Sequence, residues 1–304
     1  MTVLVLQLDW QPLPVPACQL GESPFWHPDE QALYWLDIPG RALHRFQPAG
    51  AVHRRWDLPT EPGCIAPLPG GRLLMARRDG LFRFDPADGR AERLATPPYE
   101  PATERFNDGK ADAAGRLWVS TIYEPRDKAV AALYRWDGHT LERLFGGLTI
   151  GNGLAFSADG HTVLTADTPT HEVTAHTLDA GTDKLVAPRP FHRFAPKLKG
   201  APLEGYGGRP DGAAMDVDGV YWVAMMEGRR LACLGPDGVE RASVPLPVRC
   251  PTMPCFGGDD LRTLYITTSR QSRPAEELAR EPWAGQVLHC RVEVPGLPVN
   301  FAHV

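Results

Sequence analysis

The sequence predicts an all-β chain folded as a six-bladed β-propeller, with four-stranded antiparallel blades around a central channel. Three observations carry this. A turn followed by a short aromatic or β-branched strand recurs six times, and a second strand follows each copy. No long stretch keeps a helical period.

The six turn-and-strand copies are PDEQALYWLDI, PGGRLLMAR, AAGRLWVST, ADGHTVLTADT, VDGVYWVAM and GDDLRTLYITTS, centred on Trp35, Leu74, Trp118, Val163, Trp222 and Tyr265. Their spacings are 39, 44, 45, 59 and 43 residues. The partner strands read RALHRF, GLFRFD, ALYRWD, EVTAHTL, RLACLG and QVLHCRV. An apolar segment such as NGLAFS or DGAAMD precedes each pair and supplies the innermost strand. Six units in 304 residues give about 51 residues each, within the range of propeller blades. The long fourth spacing holds an insertion at 192–208, read as a loop over one face. The apolar run Val3 to Leu6 is expected to complete the blade that ends near Val287 to Val294, closing the ring and removing free edges. Only PAEELAR, Pro274 to Arg280, has the makings of one or two helical turns. The whole chain, 1–304, is read as one propeller domain.

Composition narrows the function classes. With 32 Lys and Arg against 37 Asp and Glu the formal charge is −5, which argues against a nucleic-acid partner. Thirty Gly and 31 Pro suit a turn-rich β chain and stay below the level of a disordered one. No uncharged apolar run approaches the roughly 18 residues of a membrane helix, and the start of the chain lacks a basic leader segment. Six cysteines are sparse, so a reduced, cytoplasmic protein is expected, with Cys250 and Cys255 read as buried thiols. The chain is expected to be a monomer or weak oligomer.

The repeat also aligns chemistry. Ten to twelve residues before each strand centre, where each innermost strand begins, stand LGESPFW, EPGCIAPL, RFNDGKAD, GNGLAFS, RPDGAAMD and PTMPCFGG. Four of the six carry an oxygen ligand there: Glu22, Asn107, Asn152 and Asp211. Inner strands line the channel, so equivalent positions form a ring about one axis. Taken singly, Asn152-Gly and Asp211-Gly read as turn chemistry; Glu22 has no such explanation. Carboxylates gathered in a channel need a counter-charge, and an all-oxygen set suits a hard divalent cation. Calcium, magnesium and manganese all suit such a set, with zinc or iron as further alternatives.

The motifs GESPFW, RFNDGKADAAGRLWVST, GNGLAFSADG, RPDGAAMDVDGVYWVA and PTMPCFGGDD, in this order from residue 21 to 269, resemble the regucalcin (senescence marker protein), gluconolactonase and sugar lactonase family. The resemblance implies a six-bladed propeller with one divalent metal in its channel, calcium first, and metal-dependent hydrolysis of an aldonolactone to its sugar acid. It implies Glu22, Asn152 and Asp211 as metal ligands, with Arg105, Asn107 and Glu124 binding substrate. Asp211 is also the candidate general base. Asp108 and Lys110, in the same loop as Asn107, would shape it or reach the sugar. Thr168 keeps a hydroxyl where many members have ADS, a variant resembling bacterial pentonolactonases.

A lactone is a cyclic ester rich in hydroxyls. Arg105, Asn107 and Glu124 offer the donors and acceptors that match it, and Arg105 also suits a developing oxyanion. The sequence contains no G-x-S-x-G elbow, phosphate loop or H-E-x-x-H motif. The ten histidines fall mostly outside the axial phase and read as surface or packing residues, and Trp26, Trp118 and Trp222 as core. The pairs Arg77-Arg78 and Arg229-Arg230 read as solvated edges, and Lys197 and Lys199 as solubilising a loop. Two other readings stay open: a phosphotriesterase or arylesterase on the same scaffold, and a calcium-binding regulator without catalysis.

Overall fold

The computed structural model describes residues 3–304. Six separate sheets form six blades set around a channel. Blade one comprises Gly21–His27, Ala32–Asp37, Ala42–Gln47 and Val52–Asp57. The inner strands of the next four blades are Pro62–Leu68, Glu104–Ala111, Gly151–Phe156 and Arg209–Met215, and that of blade six is Pro251–Gly257. Each neighbours the inner strand of the next blade, and the sixth returns to the first. The six strand centres read from the sequence all fall within second strands. PAEELAR yields the single short α-helix among the described residues, Ala275–Arg280.

Burial grades from axis to rim. Second strands are buried on both faces, as in Ala32–Asp37, whereas the outermost Val52–Asp57 is exposed. The buried apolar side chains fall into six clusters, and each straddles one seam between adjacent blades. Between blades six and one, Trp26 stacks on Tyr265 with ring centroids 5.9 Å apart. Between blades three and four, Trp118 packs with Leu154 and Val163. A blade therefore buries its faces only against its neighbours, and the ring is the smallest unit that hides them all.

Closure differs from the expectation. The strand completing blade six is Gln11–Pro12, paired antiparallel with His289 and Leu288. Val3 to Leu6 does not reach that blade. Leu4–Val5 instead lies parallel to Ala242 and Ser243, as a fifth strand on the rim of blade five. Physically, Pro14 and Pro16 and the anchors Leu13 and Cys18, whose amides donate to the carbonyls of Val287 and Gly285, hold the following segment against blade six. The apolar run upstream is then carried past to the neighbouring rim.

The 192–208 insertion also begins later than expected. His192 and Arg193 end the outer strand Lys184–Arg193 of blade four, and irregular chain runs from Ala195 to Gly208. It packs on the channel end where the inner strands begin. Tyr206 is hydrogen-bonded to His171 Nε2 at 2.5 Å, and the Leu203 carbonyl accepts from Arg249 at 3.4 Å.

The opposite channel end is spanned by the C-terminal segment. Leu297 and Ala302 donate backbone hydrogen bonds to Met215 and Pro67, and the Asn300 amide donates to Ala111. Above it lies a cavity of about 430 Å³, lined largely by apolar side chains of all six inner strands together with Lys110.

Candidate active site

Every inner strand breaks register with its neighbour near its first residues. The breaks lie between Glu22 and Phe25, Pro62 and Cys64, Phe106 and Gly109, Asn152 and Ala155, Pro210 and Ala213, and Pro251 and Met253. A bulge adds a residue and re-aims a side chain. Here six bulges in one phase of the repeat turn consecutive residues toward the axis. Asn152 and Asp211 are thus bulge residues within strands, not turn residues. Gly153 takes φ +64°, which a side chain resists, and its carbonyl accepts from the Tyr221 hydroxyl at 2.7 Å. Ser23 adopts φ +49° at the same phase of blade one, a conformation costly for a non-glycine residue. Its hydroxyl accepts from the Ile65 amide at 3.0 Å, which anchors the strained residue to blade two.

A hydrogen-bonded chain then runs across blades three, four and five. Arg105 Nη1 donates to Asn107 Oδ1 at 2.9 Å. Asn107 Nδ2 donates to Asn152 Oδ1 at 3.0 Å, and Asn152 Nδ2 donates to Thr168 Oγ1 at 2.8 Å. Thr168 Oγ1 donates to the carbonyl of Pro210, next to Asp211, at 2.8 Å. At the rim, Glu124 accepts from Arg78 twice at 2.9 Å and lies 3.5 Å from Arg105 Nε.

The electrostatics of the ring are strained. Burial pushes the carboxyl of Glu22 well above the usual carboxylate range, and the nearby Asp211 and Asp108 add to this. Asp211 is pushed up to about 7, chiefly by burial and then by Asp108. Asp108 is raised by burial as well; its Oδ2 accepts the Leu154 amide at 2.8 Å, while its buried Oδ1 has no partner. None of these three carboxylates has an ion pair within 4 Å among the described residues. Like charges enclosed together without a cation are unfavourable. The donor types suit a hard divalent ion: the buried carboxylates of Glu22 and Asp211 and the amide oxygen of Asn152, with the unpartnered Asp108 Oδ1 in the same electrostatic neighbourhood. Among the described residues, no trio of acidic, imidazole and thiol groups is gathered to hold a metal, so the amide of Asn152 would be integral to any such site.

The sequence-chosen residues thus occupy one end of the channel. Glu22 and Asp211 lie close enough there to act on each other electrostatically, Asn152 is tied to Asn107 and through it to Arg105, and Glu124 reaches Arg105 from the rim. The sequence reading undervalued six residues. Arg78 is no solvated edge: it is clamped between Glu61 and Glu124. Its neighbour Arg77 is buried and lies over the Phe82 ring at 3.6 Å. Thr168 holds Asn152, and its signal was the hydroxyl kept in ADT. Arg209, two residues before Asp211, was passed over. Arg229 and Arg230 are likewise paired, with Glu281 and Glu240. The six cysteines are buried free thiols, and Trp26, Trp118 and Trp222 are core.

Comparison with known proteins places this arrangement. The family described as SMP-30/Gluconolactonase/LRE-like region matches residues 20–270. The chain belongs to that family. The SMP-30/gluconolactonase match takes in all six inner strands and hence the whole ring of bulges. Among its relatives, the 6-deoxy-6-sulfogluconolactonase of Pseudomonas putida is 43% identical over 91% of this chain and 92% of its own length. A pentonolactonase of Haloferax volcanii is 34% identical over 83% of this chain and 82% of its own. The solved structure of a calcium-binding protein, regucalcin, from Agrobacterium tumefaciens superposes with a TM-score of 0.92 at 25% identity, covering all of both chains. No helix among the described residues is long and apolar enough to cross a membrane.

Proposed function

We propose that this protein is a metal-dependent lactonase that hydrolyses an aldonolactone to the open sugar acid. The observation that carries the reading is the set of buried carboxylates, Glu22, Asp211 and Asp108, close enough at one end of a channel for Asp108 to raise both of the others and Asp211 to raise Glu22. Relatives named as lactonases acting on six-carbon and five-carbon sugar lactones support the substrate class. A structural neighbour described as calcium-binding supports a divalent ion, calcium first.

Glu22, Asn152 and Asp211 would hold the ion. When bound, it supplies positive charge that polarises the lactone carbonyl and keeps Asp211 ionised. Asp211 accepts a proton from the attacking water as its oxygen bonds to the carbonyl carbon. The ring C–O bond then breaks, and the proton passes to the departing ring oxygen, giving a hydroxy acid. Arg105 has Nη1 committed to Phe106 and Asn107, and its Nη2 is left to donate to the substrate. Burial lowers the pKa of that guanidinium, a sign of how little water competes with it. Glu124 braces Arg105 from outside and offers an acceptor to sugar hydroxyls.

The test is acid release from a panel of pentono- and hexonolactones, after chelation and after re-addition of single divalent ions. Loss of activity on chelation and its return with one ion is expected. Full activity of a metal-stripped Glu22→Ala protein defeats the reading. Metal binding without hydrolysis of any lactone would leave a calcium-binding role in its place.

A further inference from the structure

Arg209 opens the inner strand of blade five, two residues before Asp211, at the end of the channel where the candidate site lies. Its guanidinium makes no hydrogen bond among the described residues. Its ion-pair partner there is Glu227, at 3.4 Å, a carboxylate already held by Arg273 at 3.1 Å. Arg78, by contrast, has two carboxylates at hydrogen-bonding distance. The Arg209 side chain keeps about a third of its surface open, at 35%. It lies close enough to Asp211, His171 and Tyr206 for its charge to act on all three. The hydrogen-bonded pair His171 and Tyr206 joins the blade-four turn to the insertion. It walls the mouth on the side opposite blade one.

Two arginines therefore flank the mouth. Arg105 on blade three is engaged with Asn107 and belongs to the reacting end. Arg209 on blade five donates no hydrogen bond among the described residues, and its one ion-pair partner there, Glu227, is shared with Arg273. A guanidinium with free donors in a partly closed mouth recognises an oxyanion, since its planar fork matches two oxygens at once. A neutral hydroxyl would not need a cation there.

We infer that the substrate carries an anionic group, a sulfonate, phosphate or carboxylate, on the carbon farthest from the lactone carbonyl, and that Arg209 binds it. This rests on the lactonase reading. Arg209 would then decide specificity, while the bond-breaking groups stay those of the channel.

The experiment compares kcat/KM for glucono-δ-lactone with that for its 6-sulfo and 6-phospho derivatives, at saturating metal. A charge-assisted contact at Arg209 should give the charged substrates an advantage of about 10- to 100-fold. Arg209→Met should collapse that ratio toward one, mostly through KM, and Arg209→Lys should restore part of it. The sulfo and phospho arms show which oxyanion fits. If wild-type enzyme handles charged and neutral lactones equally, the inference is overturned. It is also overturned if folded Arg209→Met loses both in proportion, since Arg209 would then serve the reaction at large. Hydrolysis of none of the three, nor of the wider panel, would instead defeat the lactonase reading itself.

Discussion

A single hydroxyl sets the geometry of one candidate ligand. An Asn offers an oxygen to a cation only if its amide nitrogen is held elsewhere. Thr168 does this, and passes its own proton to the Pro210 carbonyl. Thr168→Ser should keep metal affinity within a few-fold. Thr168→Val removes the acceptor at nearly constant volume and should weaken metal binding about 10- to 100-fold, as losses behind a metal ligand do. Calorimetric titration with calcium would read both, and equal affinities for Ser and Val would disprove the role. The carboxyl of Asp211 gives a second prediction. Its folded pKa is raised from 3.8 to about 7, so in metal-free protein it stabilises least when ionised. That stability is intact below pH 4 and is lost as pH rises through 7. In chelator the melting temperature should therefore fall between pH 5 and pH 8, and Asp211→Asn should flatten the fall. Metal should raise the melting temperature more at pH 8 than at pH 5, because binding displaces protons. A rise with pH in chelator would contradict the assignment.

At the scale of elements, the turn before each second strand carries more than reversal. In blade five, Asp216 accepts from the amides of Asp218 and Val220 and from Trp222 Nε1, all within 3.0 Å. In blade three, Asp112 does the same for Ala114, Arg116 and Trp118. One buried carboxylate thus ties turn, strand and seam tryptophan. Asp216→Ala leaves three donors unpaired and should cost about 2–4 kcal/mol in urea unfolding. Metal affinity should not change, since the turn lies at the far end of its inner strand. These elements were legible because turn, strand and aromatic recur in fixed order, and the short helix because PAEELAR has few alternatives. Glu22, Asn107, Asn152 and Asp211 were legible only through their common phase, since the bulges that aim them leave no mark in composition. Arg78 and Arg209 were not: an arginine beside a strand start looks alike whether solvated, clamped or waiting, and only the placement of Glu61, Glu124 and Glu227 across blades separates the cases.

At the scale of the molecule, stability should follow from closure. Each seam buries apolar faces of two blades, so the ring holds only while blade six is complete. Gln11–Pro12 completes it, with Trp10, Leu13 and Val15 buried around it and Trp10 Nε1 donating to Pro245 at 3.0 Å. Pairing between chain ends is nonlocal, which is why proximity to Val287 in a linear reading favoured the wrong segment of the first dozen residues. Two truncations separate the segments. Removing residues through Leu6 deletes the parallel rim strand, whose Leu4 and Val5 are 60% and 55% exposed. It should shift the melting temperature by about 2–4 °C at most. Removing residues through Val15 deletes three buried side chains, Trp10, Leu13 and Val15, whose burial is worth about 1.5–3 kcal/mol each, and opens an edge on blade six. The sum approaches the whole stability of an ordinary domain. That protein should aggregate or melt without a cooperative transition, and should lose metal binding with it, because Glu22 follows directly on the missing closure. A long truncation that melts cooperatively near the full-length temperature would show that the seams hold without closure.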